Sequence, residues 1–163
     1  MVAGQMIGIA GAGSIGCFVG GMLAASGRRV ALLARPRVIA EIEAHGLRRT
    51  SFEGFDQTIA RDRFALSENP SVFEDAGVVL VTVKSADTAA MAEIIARHAS
   101  SDAVIVSLQN GVSNAAVLRD RLPGRRVLGG MVPFNVITAG EGRFHRATSG
   151  EIGRASCRER VLS

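Results

Sequence analysis

Residues 6–16 read Met-Ile-Gly-Ile-Ala-Gly-Ala-Gly-Ser-Ile-Gly, and the rest of the chain is organised around them. The first five residues form a short apolar run, which predicts a buried strand. The glycines that follow, Gly11, Gly13 and Gly16, have the spacing G-x-G-x-x-G. An apolar segment rich in glycine and alanine then runs to Ser26 and predicts a helix. A strand, a glycine turn and a helix in this order are typical of a dinucleotide-binding unit.

Each glycine has its own role in such a turn. Gly11 allows the chain to turn sharply out of the strand, and Gly13 lets a pyrophosphate approach the backbone because it has no side chain. Gly16 lets the helix pack close to the strand. The free N–H groups at the start of the helix face the phosphates, and the helix dipole favours their negative charge. We therefore expect a dinucleotide to bind at Gly11, Ala12, Gly13, Ser14, Ile15 and Gly16; the alternative is a glycine-rich turn without a ligand.

Composition restricts the classes of protein to which this chain can belong. Of its 163 residues, 47% are hydrophobic and 21% are charged, as in a globular domain with a real core. Tryptophan and tyrosine are absent and the arginines are scattered, so we expect no nucleic-acid partner. The spacing of Cys and His fits no metal site. Residues 1–27 carry no charge, but glycines interrupt them, so we interpret them as a buried strand and helix and expect a cytoplasmic protein without membrane contact.

Strands and helices alternate through the remaining sequence. Apolar runs predict buried strands over 29–34, 78–83, 104–108 and 127–132, and helices are expected over 38–44, 87–99 and 114–122. Residues 47–66 indicate a hairpin or an irregular connection, and residues 144–149 an edge strand. This order predicts an α/β fold of the Rossmann type, which is a doubly wound, mainly parallel sheet with helices on both faces.

Four polar or charged side chains follow predicted strands, where ligands bind in a doubly wound sheet. They are Arg35, Lys84, Asn110 and Asn135. In an NAD site, an acidic residue about 20 residues after the glycines binds the 2′-hydroxyl of the ribose. Arg35 occupies that place here, and an arginine would pair with a 2′-phosphate, so the sequence favours NADP over NAD. The alternative is a solvated arginine in an arginine-rich chain.

Lys84 and Asn110 each have a structural alternative as well. Lys84 is the only lysine in the chain, and its flexible cation can reach a substrate carboxylate or the cofactor ribose. It is otherwise an exposed lysine at a strand end. Asn110 precedes Gly111, so an ordinary Asn-Gly turn explains it as well as a ligand contact does.

Together these segments resemble the 2-dehydropantoate 2-reductase (ketopantoate reductase) family. The resemblance lies in the glycine turn, Arg35, Val-Lys-Ser at 83–85 and Gln-Asn-Gly at 109–111, and it continues through 129–136 and 145–150. It covers residues 1–151, which we expect to form a dinucleotide-binding domain. It implies NADPH-dependent reduction of a 2-oxo acid such as 2-dehydropantoate to the 2-hydroxy acid pantoate, in pantothenate and coenzyme A biosynthesis.

The resemblance also implies roles for individual residues. Arg35 would bind the 2′-phosphate of NADP, and Asn135 would contact the cofactor. Lys84 and Asn110 would line the cleft beside the nicotinamide, contacting the cofactor and supporting catalysis. In the family, a lysine of a second, mostly helical domain donates the proton to the new hydroxyl, and that domain also binds the substrate. We expect this second domain to be absent here and the chain to bind its cofactor without catalysing the reaction.

The last residues of the chain, 152–163, resemble one reading frame of a sequencing adapter. We therefore expect them not to be natural sequence; the alternative is a genuine basic tail. The partner expected for the complete protein is a small 2-oxo acid, and its oligomeric state stays open.

Two other function classes share the glycine turn. A non-catalytic nucleotide-binding module would bind the same cofactor without a reaction. An S-adenosylmethionine-dependent methyltransferase also has a glycine-rich turn after its first strand, but it needs an acidic residue after the second strand, where this chain has Arg35.

Overall fold

A computed structural model describes residues 4–111, 113–149 and 153–154, which form an α/β fold with two sheets. In chain order the strands are β1 (Met6–Ala10), β2 (Val30–Leu33), β3 (Leu47–Ser51), β4 (Asp56–Ile59), β5 (Phe64–Ser67), β6 (Ala76–Val81), β7 (Val104–Ser107), β8 (Val127–Met131), β9 (Val136–Thr138), β10 (Arg143–Arg146) and β11 (Gly153–Arg154). The α-helices are α1 (Ser14–Ala25), α2 (Pro36–His45), α3 (Thr88–His98) and α4 (Ser113–Arg121). Most of these elements lie within two residues of their predicted bounds.

The larger sheet has the strand order β11-β8-β7-β6-β1-β2-β5 within the described ranges. The strands from β8 to β5 run parallel, and β11 is antiparallel to β8. From β1 the chain builds the sheet outward through β2 and β5, and it then returns to build the other side through β6, β7 and β8. This is the doubly wound Rossmann arrangement, which leaves a crevice at the carboxyl ends of β1 and β6. The predicted fold class is confirmed.

Helices cover both faces of this sheet and bury an apolar cluster on each. On one face, α1 contributes Phe18 to a cluster that includes Ile9 of β1. On the other face, α3 and α4 bury Ile95 and Leu118 against Val81 of β6. A fully buried side chain of this size contributes roughly 1.5–3 kcal/mol relative to an exposed one. The two clusters therefore hold the strands, and the loops at their carboxyl ends, in fixed positions. None of the helices in the described ranges is both long and apolar enough to cross a membrane.

A second sheet, with the order β4-β3-β10-β9, corrects two expectations. The predicted hairpin is present as β3 and β4, but the same segment of sequence also contains β5, which is a parallel strand of the main sheet. The expected edge strand near residue 144 is β10, and it lies between β3 and β9 rather than at an edge. Phe144 and Leu47 of this sheet are buried in the cluster around α1. Burial against a distant helix, which local sequence does not reveal, decides the pairing.

Most of the segment expected not to be natural sequence, 152–163, lies outside the described residues. Gly153–Arg154 are described, and they pair with Gly130 and Met131 as β11.

Candidate cofactor-binding site

A cleft of about 1330 Å³ opens at the carboxyl edge of the main sheet, between the loops that follow β1, β2, β6, β7 and β8. Its lining includes nine of the ten predicted cofactor-binding residues: Gly11, Ala12, Gly13, Ser14, Ile15, Arg35, Lys84, Asn110 and Asn135. Gly16 is the predicted residue that does not line it. The volume exceeds the roughly 300–1,000 Å³ typical of small-ligand sites, as an elongated ligand would require.

The three glycines of the turn are glycine for different reasons. Gly11 has a φ of +110°, and a Cβ there would lie 2.6 Å from Cγ1 of Val83. A Cβ on Gly16 would overlap the carbonyl oxygen of Gly11 and lie 2.8 Å from Oγ1 of Thr82, so Gly16 lets α1 pack closely against the turn and against the end of β6. A Cβ on Gly13 would meet no protein atom within 4 Å, and the φ of Gly13, −86°, suits any residue. Packing within the protein thus requires Gly11 and Gly16, whereas Gly13 leaves open space for a ligand.

Helix α1 begins at this open space without a capping side chain. Gly13 is its N-cap residue, and no acidic residue lies in its first turn. The first N–H groups of an α-helix have no partner within the helix. The N–H of Gly13 donates to the carbonyl oxygen of Gly11 at 2.9 Å, but Ser14 and Ile15 line the cleft, so their N–H groups and the positive end of the helix dipole suit an anion. The turn therefore fits the pyrophosphate of a dinucleotide.

Arg35 follows β2 and is the N-cap residue of α2. Its side chain is 87% exposed, and its Nη2 atom lies 3.8 Å from Oδ2 of Asp87, which is 51% exposed. Asp87 occupies the N-cap position of α3, but its side chain makes no capping hydrogen bond. Both residues line the cleft. A pair this exposed is held weakly, so the guanidinium is free to turn to a phosphate.

Lys84 and Asn110 are brought together by two neighbouring strands. Lys84 lies three residues after the end of β6, and Asn110 lies three residues after the end of β7. Both are exposed and line the cleft. The carbonyl oxygen of Asn110 accepts a hydrogen bond from Asn114 Nδ2 at 2.7 Å, which fixes the loop that carries the exposed Asn110 side chain.

The loops that carry these two residues are held by buried polar side chains that sequence reasoning missed: Gln109, Thr88 and Asn114. Gln109 Nε2 donates to the carbonyl oxygen of Val83 at 2.9 Å and to Thr88 Oγ1 at 2.7 Å. Thr88 and Asn114 lie at or next to the first residue of a predicted helix. Gln109 is noticeable only as the first residue of the Gln-Asn-Gly motif. No periodic pattern marks any of them, because their role exists only where α3, α4 and the strand ends meet.

Asn135 lies on the segment between β8 and β9. Its backbone N–H donates to Thr148 Oγ1 at 2.9 Å, and its carbonyl oxygen accepts from the N–H of Ala147 at 2.9 Å. The side chain is exposed at the cleft. Next to it, Phe134 is buried with its ring 5.6 Å from that of Phe18 in an edge-to-face pair, which fixes this segment to α1.

Cys17, on the first turns of α1, is a small buried side chain. Burial raises the pKa of its thiol to about 12, and the nearby charge of Glu41 adds to the shift. The thiol is therefore neutral near pH 7 and is no nucleophile. Over the described ranges, no group of three or more His, Cys, Asp or Glu side chains could hold a metal ion.

Comparisons with known proteins agree with this geometry. The family model for ketopantoate reductase PanE/ApbA matches residues 7–156. The 2-dehydropantoate 2-reductase of Halobacterium salinarum is 36% identical over 149 residues, which are 90% of this chain and 48% of that protein. The enzyme of the same name from Archaeoglobus fulgidus is 32% identical over 146 residues, which are 85% of this chain and 45% of that protein.

A solved structure agrees as well. The crystal structure of a PanE/ApbA family ketopantoate reductase from Ralstonia eutropha JMP134 matches with a TM-score of 0.81 and 38% identity, over 90% of this chain and 48% of that one. The chain spans about half the length of the relatives it matches and corresponds to their N-terminal part. A nucleotide-binding fold in a family of reductases implies a nicotinamide cofactor. By the extent of these matches, the chain belongs to the ketopantoate reductase PanE/ApbA family.

Proposed function

We propose that this chain is the cofactor-binding half of an NADPH-dependent reductase that converts a 2-oxo acid, such as 2-dehydropantoate, into the 2-hydroxy acid used in pantothenate biosynthesis. The observation that carries the proposal is the cleft itself, where Gly13 leaves open space at the uncapped start of α1 and Arg35 stands exposed after β2. The names of the Halobacterium salinarum and Archaeoglobus fulgidus relatives, 2-dehydropantoate 2-reductase, support the substrate class.

The choice of NADP over NAD rests on Arg35. In this proposal the N–H groups at the start of α1 bind the pyrophosphate, and the Arg35 guanidinium binds the 2′-phosphate. A guanidinium and a phosphate form charge-assisted hydrogen bonds, which are roughly twice as strong as neutral ones. NADH offers only a neutral hydroxyl at that position, so Arg35 favours NADPH.

The nicotinamide, when bound, supplies the hydride. We assign Lys84 and Asn110 to its end of the cleft, where Lys84 attracts the substrate carboxylate and Asn110 orients the reacting groups. The developing alkoxide also needs a proton donor. Lys84 is the only lysine in the chain, and it lines the part of the cleft that we assign to the cofactor. We therefore assign proton donation to a group outside these 163 residues, and we expect the chain alone to bind NADPH without turnover.

Isothermal titration of the purified chain with NADPH, NADH and S-adenosylmethionine tests the proposal. We expect NADPH to bind about 10- to 100-fold more tightly than NADH and S-adenosylmethionine not to bind. Equal affinity for the two nicotinamide cofactors would remove the NADP assignment, and binding of S-adenosylmethionine alone would remove the reductase assignment. NADPH oxidation with 2-dehydropantoate at a typical enzyme rate of about 1–10³ per second would place the proton donor within this chain.

A further inference from the structure

A series of buried hydrogen bonds lies behind the cleft, and both of its amide side chains are fixed by backbone carbonyls. Gln109 Nε2 donates to the carbonyl oxygen of Val83, and Asn114 Nδ2 donates to the carbonyl oxygen of Asn110. A carbonyl oxygen can only accept, so these contacts determine which end of each amide is the nitrogen. Gln109, Thr88 and Asn114 are only 8%, 1% and 3% exposed, which shields the series from solvent.

The hydroxyl between the two amides then has one orientation. Thr88 Oγ1 accepts from Gln109 Nε2 at 2.7 Å and donates its own hydrogen to Asn114 Oδ1 at 3.2 Å. The second hydrogen of Asn114 Nδ2 goes to Ser85 Oγ at 3.0 Å. Each hydrogen bond of the series is therefore donated in the same direction, from Gln109 towards Ser85.

Ser85 is the end of this series. Its oxygen accepts a hydrogen bond from Asn114, so its own hydroxyl hydrogen is not used within the series. Among the residues that the structure describes, this hydrogen has no acceptor, while Ser85 is exposed and lines the cleft. The series therefore presents a hydroxyl donor to whatever the cleft binds.

We propose that Ser85 donates a hydrogen bond to an oxygen of the bound nucleotide, and that Gln109, Thr88 and Asn114 are positioning residues for it. Ser85 begins the 3-10 turn Ser85–Asp87, and the last residue of that turn contacts Arg35. Through Asn114, Ser85 is also linked to Asn110, so the donor lies between the Arg35 corner and the Asn110 loop of the cleft. The inference rests on the proposed function and adds a contact to the phosphate or ribose oxygens of the cofactor.

Two variants test the donor and its positioning by isothermal titration with NADPH and NADH. Ser85→Ala removes the donor and should weaken NADPH binding about 3- to 10-fold. An equal loss for NADH places the acceptor on a ribose or pyrophosphate oxygen that both cofactors share, and a loss for NADPH alone places it on the 2′-phosphate. The matched control is Ser101→Ala, an exposed serine outside the cleft, which should bind like the wild type.

Thr88→Val breaks the series in its middle with little change in shape and should weaken NADPH binding about 2- to 5-fold. Thr88→Ser keeps the hydroxyl and should restore wild-type affinity. If Thr88 acts through Ser85, the double variant should bind no more weakly than Ser85→Ala alone. Additive losses would overturn the positioning role, and so would a lower Tm of Thr88→Val without any change in affinity.

The outcomes separate this inference from the proposed function. Wild-type affinity of Ser85→Ala for both cofactors would overturn the inference and leave the proposed function standing. Failure of the wild-type chain to bind either cofactor would overturn both.

Discussion

The glycine turn and the corner formed by Arg35 and Asp87 line the same cleft but are built differently. At the turn, Gly11 and Gly16 are required by contacts within the protein, so the shape exists before any ligand binds. At the corner, the shape depends on two largely exposed charged side chains 3.8 Å apart. In the proposed function, the rigid backbone binds the pyrophosphate that both cofactors share, whereas the charged corner distinguishes NADPH from NADH. The two parts should therefore respond differently to mutation.

The largest effect is expected at Gly13. Gly13→Val should weaken NADPH and NADH binding by more than about 100-fold, because the branched side chain would occupy the place of the pyrophosphate. The thermal unfolding temperature should change little, since a Cβ at this position meets no protein atom within 4 Å. Titration calorimetry together with thermal unfolding measures both. A folded Gly13→Val protein that binds NADPH normally would mean that the nucleotide binds elsewhere.

A selective loss is expected at Arg35. Arg35→Ala should weaken NADPH binding about 10- to 100-fold and leave NADH within about twofold, because only NADPH offers a phosphate to the guanidinium. Arg119→Ala, which removes an exposed arginine of α4 outside the cleft, controls for the general loss of positive charge. Equal losses of affinity for both cofactors would show that Arg35 does not bind the 2′-phosphate.

Gly16 should affect stability. Gly16→Ala forces a Cβ onto the carbonyl oxygen of Gly11, and overpacking of this kind costs about 1–3 kcal/mol in the free energy of unfolding. For a domain of this size, Tm should fall by roughly 2–12 °C. Gly129→Ala is the matched control, because its Cβ would make only an ordinary contact with Ala115. An unchanged Tm for Gly16→Ala would contradict the packing requirement.

The smallest effect is expected at Asp87, which in the proposed function would compete with the cofactor phosphate for Arg35. Asp87→Asn should tighten NADPH binding about 2- to 5-fold and leave NADH unchanged, with a smaller effect at high salt. Asp120→Asn, on the exposed face of α4, serves as the charge control. Weaker binding of NADPH by Asp87→Asn would instead mean that Asp87 holds Arg35 in position for the phosphate.

The difference between the glycine turn and the corner of Arg35 and Asp87 also explains which features the sequence could predict. Residues of the glycine turn are contiguous, so strand, turn and helix could be recognised from local spacing. Arg35, Lys84 and Asn110 could be placed together because the carboxyl ends of parallel strands meet at one edge of a sheet. These inferences need only local patterns and a topology.

Other features depend on contacts between distant segments, and the sequence did not reveal them. β5 was hidden in an irregular segment because its pairing with β2 decides its structure. Asp87 marked only the start of a predicted helix, and its contact with Arg35 spans two loops of the sheet edge. Thr88 and Asn114 are single polar residues whose hydrogen bonds exist only once α3 and α4 pack together. Tertiary context, rather than propensity, determines each of these.

A crystal structure of this chain with NADPH would examine the assigned site atom by atom. We predict pyrophosphate oxygens within about 3.2 Å of the backbone nitrogens at the start of α1, and a 2′-phosphate in contact with the Arg35 guanidinium in place of Asp87. A nucleotide bound outside the cleft, or a 2′-phosphate that points away from Arg35 into solvent, would contradict the assignment.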